Sequence, residues 1–174
     1  MYNRIIILFF ILVFSFSNLK SQTIFIQANY PLLFSNLKGI AAVEPGFLYW
    51  FKGKSIGVSL SATYTACKGL ENENLRGLGG GIVGLYYEKE LNASMGTFLF
   101  IKGGYTALQN SVVEGTGFYG ETGFNLYHAN ISSNICLNLT YRRFWISDIN
   151  YTGGKTINGN FGALLIGVFA KLRL

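Results

Sequence analysis

Residues 55–66 read Ser55-Ile56-Gly57-Val58-Ser59-Leu60-Ser61-Ala62-Thr63-Tyr64-Thr65-Ala66, with an apolar residue at every second position and small or polar residues between them. Successive side chains of a strand point to opposite faces, so this pattern predicts a β-strand with one apolar and one polar face. The alternation recurs in Asn134-Ile135-Cys136-Leu137-Asn138-Leu139-Thr140-Tyr141-Arg142. No helical periodicity of comparable length competes with it. The two segments therefore predict an all-β fold.

Weaker alternation predicts six further strands, which makes eight. They cover residues 23–31, 40–51, 77–89, 96–107, 117–127 and 160–173. Lengths of about 9 to 14 residues are those of tilted strands that cross a bilayer.

The links between these strands alternate in length along the sequence. Short turns are expected at 51–54, 91–94 and 128–130, and longer polar links at 32–39, 68–76, 108–116 and 146–159. Barrels of the bacterial outer membrane have short periplasmic turns and longer outer loops. The pattern predicts an eight-stranded antiparallel up-and-down barrel, with both ends of the barrel segment on the short-turn side.

The composition of the polar face separates a membrane barrel from a soluble one. A soluble eight-stranded barrel would turn its polar face outward, but only 13% of the residues are charged, against about a quarter in typical soluble domains. Small Gly, Ser, Thr and Asn side chains instead suit a narrow interior. A closed barrel also leaves no unpaired strand edge in lipid. We therefore predict a transmembrane β-barrel with its apolar face outward.

The beginning of the chain has the parts of a secretory signal. Arg4 precedes residues 5–16, which are apolar apart from Ser15, and a polar segment follows at 17–22. This order predicts a signal peptide at 1–22, cleaved after Ser21 or Gln22, and an outer-membrane barrel at 23–174. A membrane anchor is the alternative.

Several charged residues fall on the face predicted to line the lumen. Counting from the short turns places Glu44, Lys102 and Glu121 at similar heights, and Glu121 lies on a strand beside those of Lys102 and Arg142. Buried charges are costly unless they are paired. We expect Glu44, Lys102, Glu121 and Arg142 to form a cluster that plugs the lumen. The alternative is that these charges sit in trapped water.

Aromatic residues are expected to form a girdle at each membrane interface. The predicted short-turn girdle comprises Tyr49, Phe51, Tyr86, Tyr87 and Tyr127, and the predicted outer girdle comprises Tyr64, Tyr105, Tyr141 and Trp145. The last outer loop offers candidate contacts for an extracellular ligand or surface partner, namely Trp145, Asp148, Tyr151 and Lys155.

Motifs of catalysis and cofactor binding are weak. Residues 79–84 satisfy the glycine pattern of nucleotide-binding loops, but no helix follows them to direct amides at a phosphate. His128 is the only histidine and falls in a predicted periplasmic turn. Basic residues are dispersed, so nucleic-acid binding is not expected. We expect no catalytic, cofactor or metal site, and therefore a protein that is not an enzyme.

With these strands and links, the mature chain resembles the small OmpA/OmpX-like barrels and the outer membrane protein beta-barrel domains of diderm, Gram-negative bacteria. Those chains often end in an aromatic residue, whereas this one ends in Leu174 after an alternating segment. The resemblance implies a cell-envelope protein inserted into outer-membrane lipid by the barrel-assembly machinery, a monomer without a cofactor. It implies a structural, adhesion or surface-interaction role. A porin-like narrow channel for ions or small solutes and a lipid A-modifying enzyme are the alternatives.

Overall fold

The computed structural model of the protein describes residues 21–34, 38–51, 55–68, 74–109, 113–130, 132–151, 154 and 156–173. The expected signal peptide, apart from its last two residues, lies outside them. Within the described residues no helix is long and apolar enough to cross a membrane. The strands are β1 (Ser21–Phe34), β2 (Lys38–Trp50), β3 (Ile56–Lys68), β4 (Asn74–Asn92), β5 (Met95–Gln109), β6 (Val113–His128), β7 (Ser132–Tyr151) and β8 (Thr156–Arg173).

Each strand pairs with the next in antiparallel fashion, and β8 pairs with β1 to close the barrel. The predicted all-β, eight-stranded up-and-down barrel is confirmed. Ser21 of β1 and Arg173 of β8 lie at the same end, together with the connections at 51–55, 93–94 and 129–131. We call this the near end, and the opposite one the far end.

The predicted long links are mostly strand, so the expected alternation of short and long connections is wrong. β7 continues to Tyr151 and β8 starts at Thr156, with Asp148 paired to Asn158 inside the predicted last loop. The other far-end links shrink in the same way, leaving 35–37, 69–73 and 110–112 between strands. Backbone pairing needs no apolar face, so a strand can continue where the alternation in its sequence stops.

Inward and outward side chains alternate along the strands. The outward face carries exposed large apolar side chains on all eight strands, among them Ile26, Phe47, Tyr64, Val83, Ile101, Phe118, Leu137 and Val168. Charged residues such as Glu44, Lys102, Glu121 and Arg142 are buried inside. The apolar face is outward, as predicted.

The near half of the interior is aromatic, which the sequence analysis did not predict. It contains Phe25, Leu48, Trp50, Tyr86, Phe98, Phe100, Cys136 and Phe169, and Tyr127 packs against them. We call these residues the aromatic cluster. The placement of Tyr86 and Tyr127 in an outward near-end girdle is therefore wrong. At the far girdle, Tyr64, Tyr105, Tyr141 and Trp145 do point outward and are exposed.

Candidate functional site

Four buried charged side chains meet halfway along the barrel. Strand pairing sets three of them side by side, since Lys102 on β5 lies opposite Glu121 on β6, which in turn lies opposite Arg142 on β7. Glu44 projects from β2. It joins the others across the lumen.

Each cation of this group contacts both carboxylates. Lys102 Nζ lies 2.8 Å from Glu44 Oε1 and 3.2 Å from Glu121 Oε1. Arg142 Nη2 lies 3.4 Å from Glu44 Oε2 and 2.5 Å from Glu121 Oε2. No side chain of the four is more than 1% exposed. The structure thus brings Glu44, Lys102, Glu121 and Arg142 into one closed network with two positive and two negative charges, which we call the charge cluster.

Neutral polar side chains occupy the remaining hydrogen-bonding positions around Glu44 and Arg142. Ser61 Oγ donates a hydrogen bond of 2.7 Å to Glu44 Oε1. Arg142 Nη1 donates to Thr63 Oγ1 at 3.2 Å and to Thr65 Oγ1 at 2.9 Å. These three hydroxyl groups, of Ser61, Thr63 and Thr65, belong to inward residues of β3. Buried ions retain their charge when such bonds replace water.

Gln27 on β1 links the charge cluster to a layer of amides. Its Oε1 accepts a 3.1 Å hydrogen bond from Lys102 Nζ, and its Nε2 donates to Glu121 Oε1 at 3.3 Å and to Asn138 Oδ1 at 3.4 Å. Asn138 Nδ2 donates in turn to Asn125 Oδ1 at 2.7 Å. The sequence analysis did not single out Gln27. Its place at an even spacing from Thr23 and Phe25 on the inward face is the signal that identifies it.

Aromatic rings flank the two cations. Lys102 Nζ lies 4.5 Å from the ring centre of Phe100 and 5.6 Å from that of Tyr86. The guanidinium of Arg142 lies 5.3 Å from the ring centre of Tyr119. The ring faces attract cations and at the same time exclude water. The charge cluster is therefore enclosed by the aromatic cluster on one side and by Tyr119 on the other.

The predicted outer-loop contacts are not gathered on a loop. Trp145 is on the outward wall of β7 and is 47% exposed. Asp148 and Tyr151 belong to β7, where the backbone of Asp148 is paired with Asn158, so their assignment to a loop is wrong. Lys155 lies outside the described residues. His128 ends β6 beside the near-end turn at 129–130.

Comparison with known proteins supports the architecture. No protein-family model and no curated protein sequence matches the chain. Among solved structures, the N-terminal β-barrel domain of Pseudomonas aeruginosa OprF is similar, with a TM-score of 0.53 and 11% identity over 88% of this chain and 98% of that one. This chain has the fold of a small outer-membrane barrel.

Two further solved barrels are similar to this chain. Neisserial surface protein A has a TM-score of 0.49 and 15% identity over 87% of this chain and 96% of that one. The Yersinia pestis outer membrane protein Ail has a TM-score of 0.48 and 13% identity over 87% of this chain and 99% of that one.

Proposed function

We propose that the protein is a monomeric barrel of the bacterial outer membrane, with an interior closed by side chains and a structural or surface-interaction role. The observation that carries the proposal is the inverted distribution of its side chains. Large apolar residues cover the outside while Glu44, Lys102, Glu121 and Arg142 are buried within. In water this outer face would drive aggregation, whereas in lipid it is the favoured surface.

The closed lumen supports a role that does not require transport. Eight strands enclose little more space than their own side chains fill. Here the aromatic cluster fills the near half, and the charge cluster spans the middle with exposures of 1% or less. Solute passage would require the rupture of buried ion pairs, which is strongly unfavourable.

The far end is the end that we assign to the cell surface. There β7 and β8 continue past the outward aromatic residue Trp145, and exposed polar residues such as Asn150 and Thr156 lie beyond it. A polar extension of the barrel beyond the apolar belt suits contact with a ligand or partner outside the cell. In this proposal residues 1–22 are the export signal and the barrel-assembly machinery inserts the chain.

Membrane fractionation combined with gel migration tests the location. The full chain, expressed in a diderm host, is expected in the outer-membrane fraction, and to migrate differently before and after boiling because the folded barrel resists detergent. Recovery of the folded protein as a freely soluble monomer without detergent would contradict the proposal.

Planar-bilayer recording separates the closed barrel from a narrow channel. We expect no stable unitary conductance from the purified protein. A stable conductance that changes in the Glu121→Ala variant would favour the channel instead. Lipid A mass spectrometry with and without the protein tests the enzymatic alternative, for which we expect no difference.

The surface role is tested by shortening the far-end hairpin of β7 and β8 beyond Trp145 in the native host. We expect the shortened barrel still to assemble and to show heat-modifiable migration, and an envelope or adhesion phenotype to be lost. An unchanged phenotype would confine the role to the barrel body.

A further inference from the structure

Arg143 is a basic residue on the apolar outer wall of the barrel. It follows Arg142 on β7 and therefore points outward, where it is exposed. None of the ion pairs formed by the described residues involves it. Its guanidinium lies 6.0 Å from the ring centre of Trp145. A cation on a lipid-facing wall is unfavourable unless it reaches an anion or the interface.

Glycines in neighbouring strands leave the outer wall without side chains beside Arg143, and one of them, Gly120, lines a recess there. Strand pairing sets Gly103, Gly120, Arg143 and Gly162 in one row across β5, β6, β7 and β8. A side chain added at Gly103 would meet no atom closer than the Tyr119 carbonyl oxygen, at 4.0 Å from its Cβ. The recess has a volume of about 270 Å³, and its lining includes Arg143, Trp145, Gly120 and Thr122.

Two aromatic residues border Arg143 along its own strand. The Trp145 ring lies over Gly120, where an added Cβ would be 3.2 Å from Trp145 Cζ3. Tyr141 lies over Gly162 on the other side, where an added Cβ would be 2.9 Å from the Tyr141 hydroxyl. Trp145 thus leans toward β6 and Tyr141 toward β8, and Arg143 is exposed between them.

An apolar groove continues from this recess toward the near end. Its volume is about 490 Å³, and it shares Ile101 and Thr122 with the recess. Leu85, Tyr87 and Leu99 line the rest. An acyl chain fits such an apolar surface, whereas a soluble anion forms no favourable contact with it.

The height of Arg143 suits a lipid headgroup. Trp145 lies opposite the outward Phe118 of β6 and the exposed polar Asn160 of β8, and the next outward position of β6 toward the far end is the polar Thr116. Arg143 precedes Trp145 by two residues, which is about 7 Å along a strand. A long arginine side chain spans that distance to the interface.

We propose that Arg143, Trp145 and the adjoining recess and groove form a binding site for a phosphorylated lipid of the leaflet at the far end. The guanidinium fork pairs with the lipid phosphate, the Trp145 ring lies at headgroup level, and an acyl chain follows the groove. The inference rests on the proposed membrane location. It adds one defined lipid site to an otherwise unspecific apolar wall.

Native mass spectrometry tests the site on protein that is expressed from the full chain and extracted in detergent. Phosphorylated lipid A and enzymatically dephosphorylated lipid A are the probes. We expect the protein to bind the phosphorylated form at least about tenfold more tightly, since a charge-assisted contact is lost with the phosphate. The Arg143→Gln variant should lose this preference. The Lys89→Gln variant removes an exposed outward cation of β4 at the near end of the barrel and should retain the preference for the phosphorylated form.

A second variant separates the recess from the charge. Thr122→Trp fills the recess and the start of the groove, both of which Thr122 lines, while Arg143 stays in place, and we expect weaker binding of both forms of lipid A. Retention of the full phosphate preference by Arg143→Gln would overturn the inference. The inference would also be overturned if inorganic phosphate displaced bound lipid A as effectively as phosphorylated lipid A does at the same concentration, because the site would then recognise a free anion. Heat-modifiable migration is measured on every sample, so a failure of barrel assembly, which concerns the proposed location, is distinguished from a loss of lipid binding.

Discussion

Glu121 on β6 lies directly opposite Arg142 on β7, and Arg142 Nε donates a 2.7 Å hydrogen bond to Glu121 Oε2 in a fully buried interior. The other oxygen of the same carboxylate faces Lys102 Nζ at 3.2 Å. Glu121 therefore balances two cations at once. Removal of its charge leaves the interior with an uncompensated positive charge.

The Glu121→Gln variant is expected to lower the free energy of unfolding by about 3–5 kcal/mol, the usual cost of breaking a buried ion pair from one side. Two cations would then share the single carboxylate of Glu44. Urea unfolding of the protein in lipid vesicles, followed by tryptophan fluorescence, measures the change. Glu90→Gln at an exposed position of β4 is the matched control and should stay within about 0.5 kcal/mol.

A double-mutant cycle tests whether charge balance is the cause. Arg142→Met alone leaves two carboxylates against Lys102, whereas Glu121→Gln combined with Arg142→Met leaves Lys102 paired with Glu44. The double variant should be more stable than the sum of the single effects predicts, by about 0.5–3 kcal/mol. Strict additivity would show that the four charges act independently.

Phe169 is the centre of the aromatic cluster, with 0% exposure and its ring stacked on Phe25 at 5.1 Å. Phe169→Ala should cost about 3–5 kcal/mol of unfolding free energy because it leaves a cavity inside a closed barrel. Phe47→Ala, at a ring that is 48% exposed on the outer wall, should cost less, since lipid fills the space. Equal losses in the two variants, measured by the same unfolding assay, would mean that the near half is not tightly packed.

Gly46 on β2 makes room for the Phe25 ring. A Cβ at this position would lie 2.7 Å from Phe25 Cζ and would also collide with Ser61. Gly46→Ala is therefore expected to destabilise the barrel by about 1–3 kcal/mol through overpacking. Gly81→Ala is the control, because a Cβ there meets nothing within 4 Å. If both variants unfold at the same urea concentration, the interior adapts to the added methyl group.

The sequence predicts the barrel well because the fold depends on period two. Residues 55–66 and 134–142 alternate clearly, and counting from the tight turns places Lys102 and Glu121 at the same height, which the observed pairing also does. Register in a hairpin is fixed by its turn. The relative heights of lumen charges can therefore be read without side-chain coordinates.

Side-chain polarity predicts orientation poorly in the near half of the barrel. Phe98 and Phe100 are apolar, yet they share the parity of Lys102 on β5 and point inward with it. The parity of a position along its strand is the better guide. The alternation also does not predict the far-end extensions of β7 and β8. Beyond the apolar belt neither face of a strand contacts lipid, so neither has to be apolar, and the alternation that marks a strand disappears.

Cys136 provides a test of the inward parity of β7 in the near half. Its side chain is 1% exposed, packs in the aromatic cluster and lies opposite Phe169 of β8. The chain has two cysteines, so Cys67→Ser leaves Cys136 as the only thiol. A lipid-soluble maleimide should then modify the protein after boiling but not in the folded barrel, because packing denies access to the sulfur.

Leu137→Cys in a chain that lacks both natural cysteines is the control. Position 137 is one residue further on and is 54% exposed, so this variant should react while folded. Rapid labelling of Cys136 in the unboiled protein would place β7 in the opposite parity and would turn Asn138 and Arg142 toward lipid.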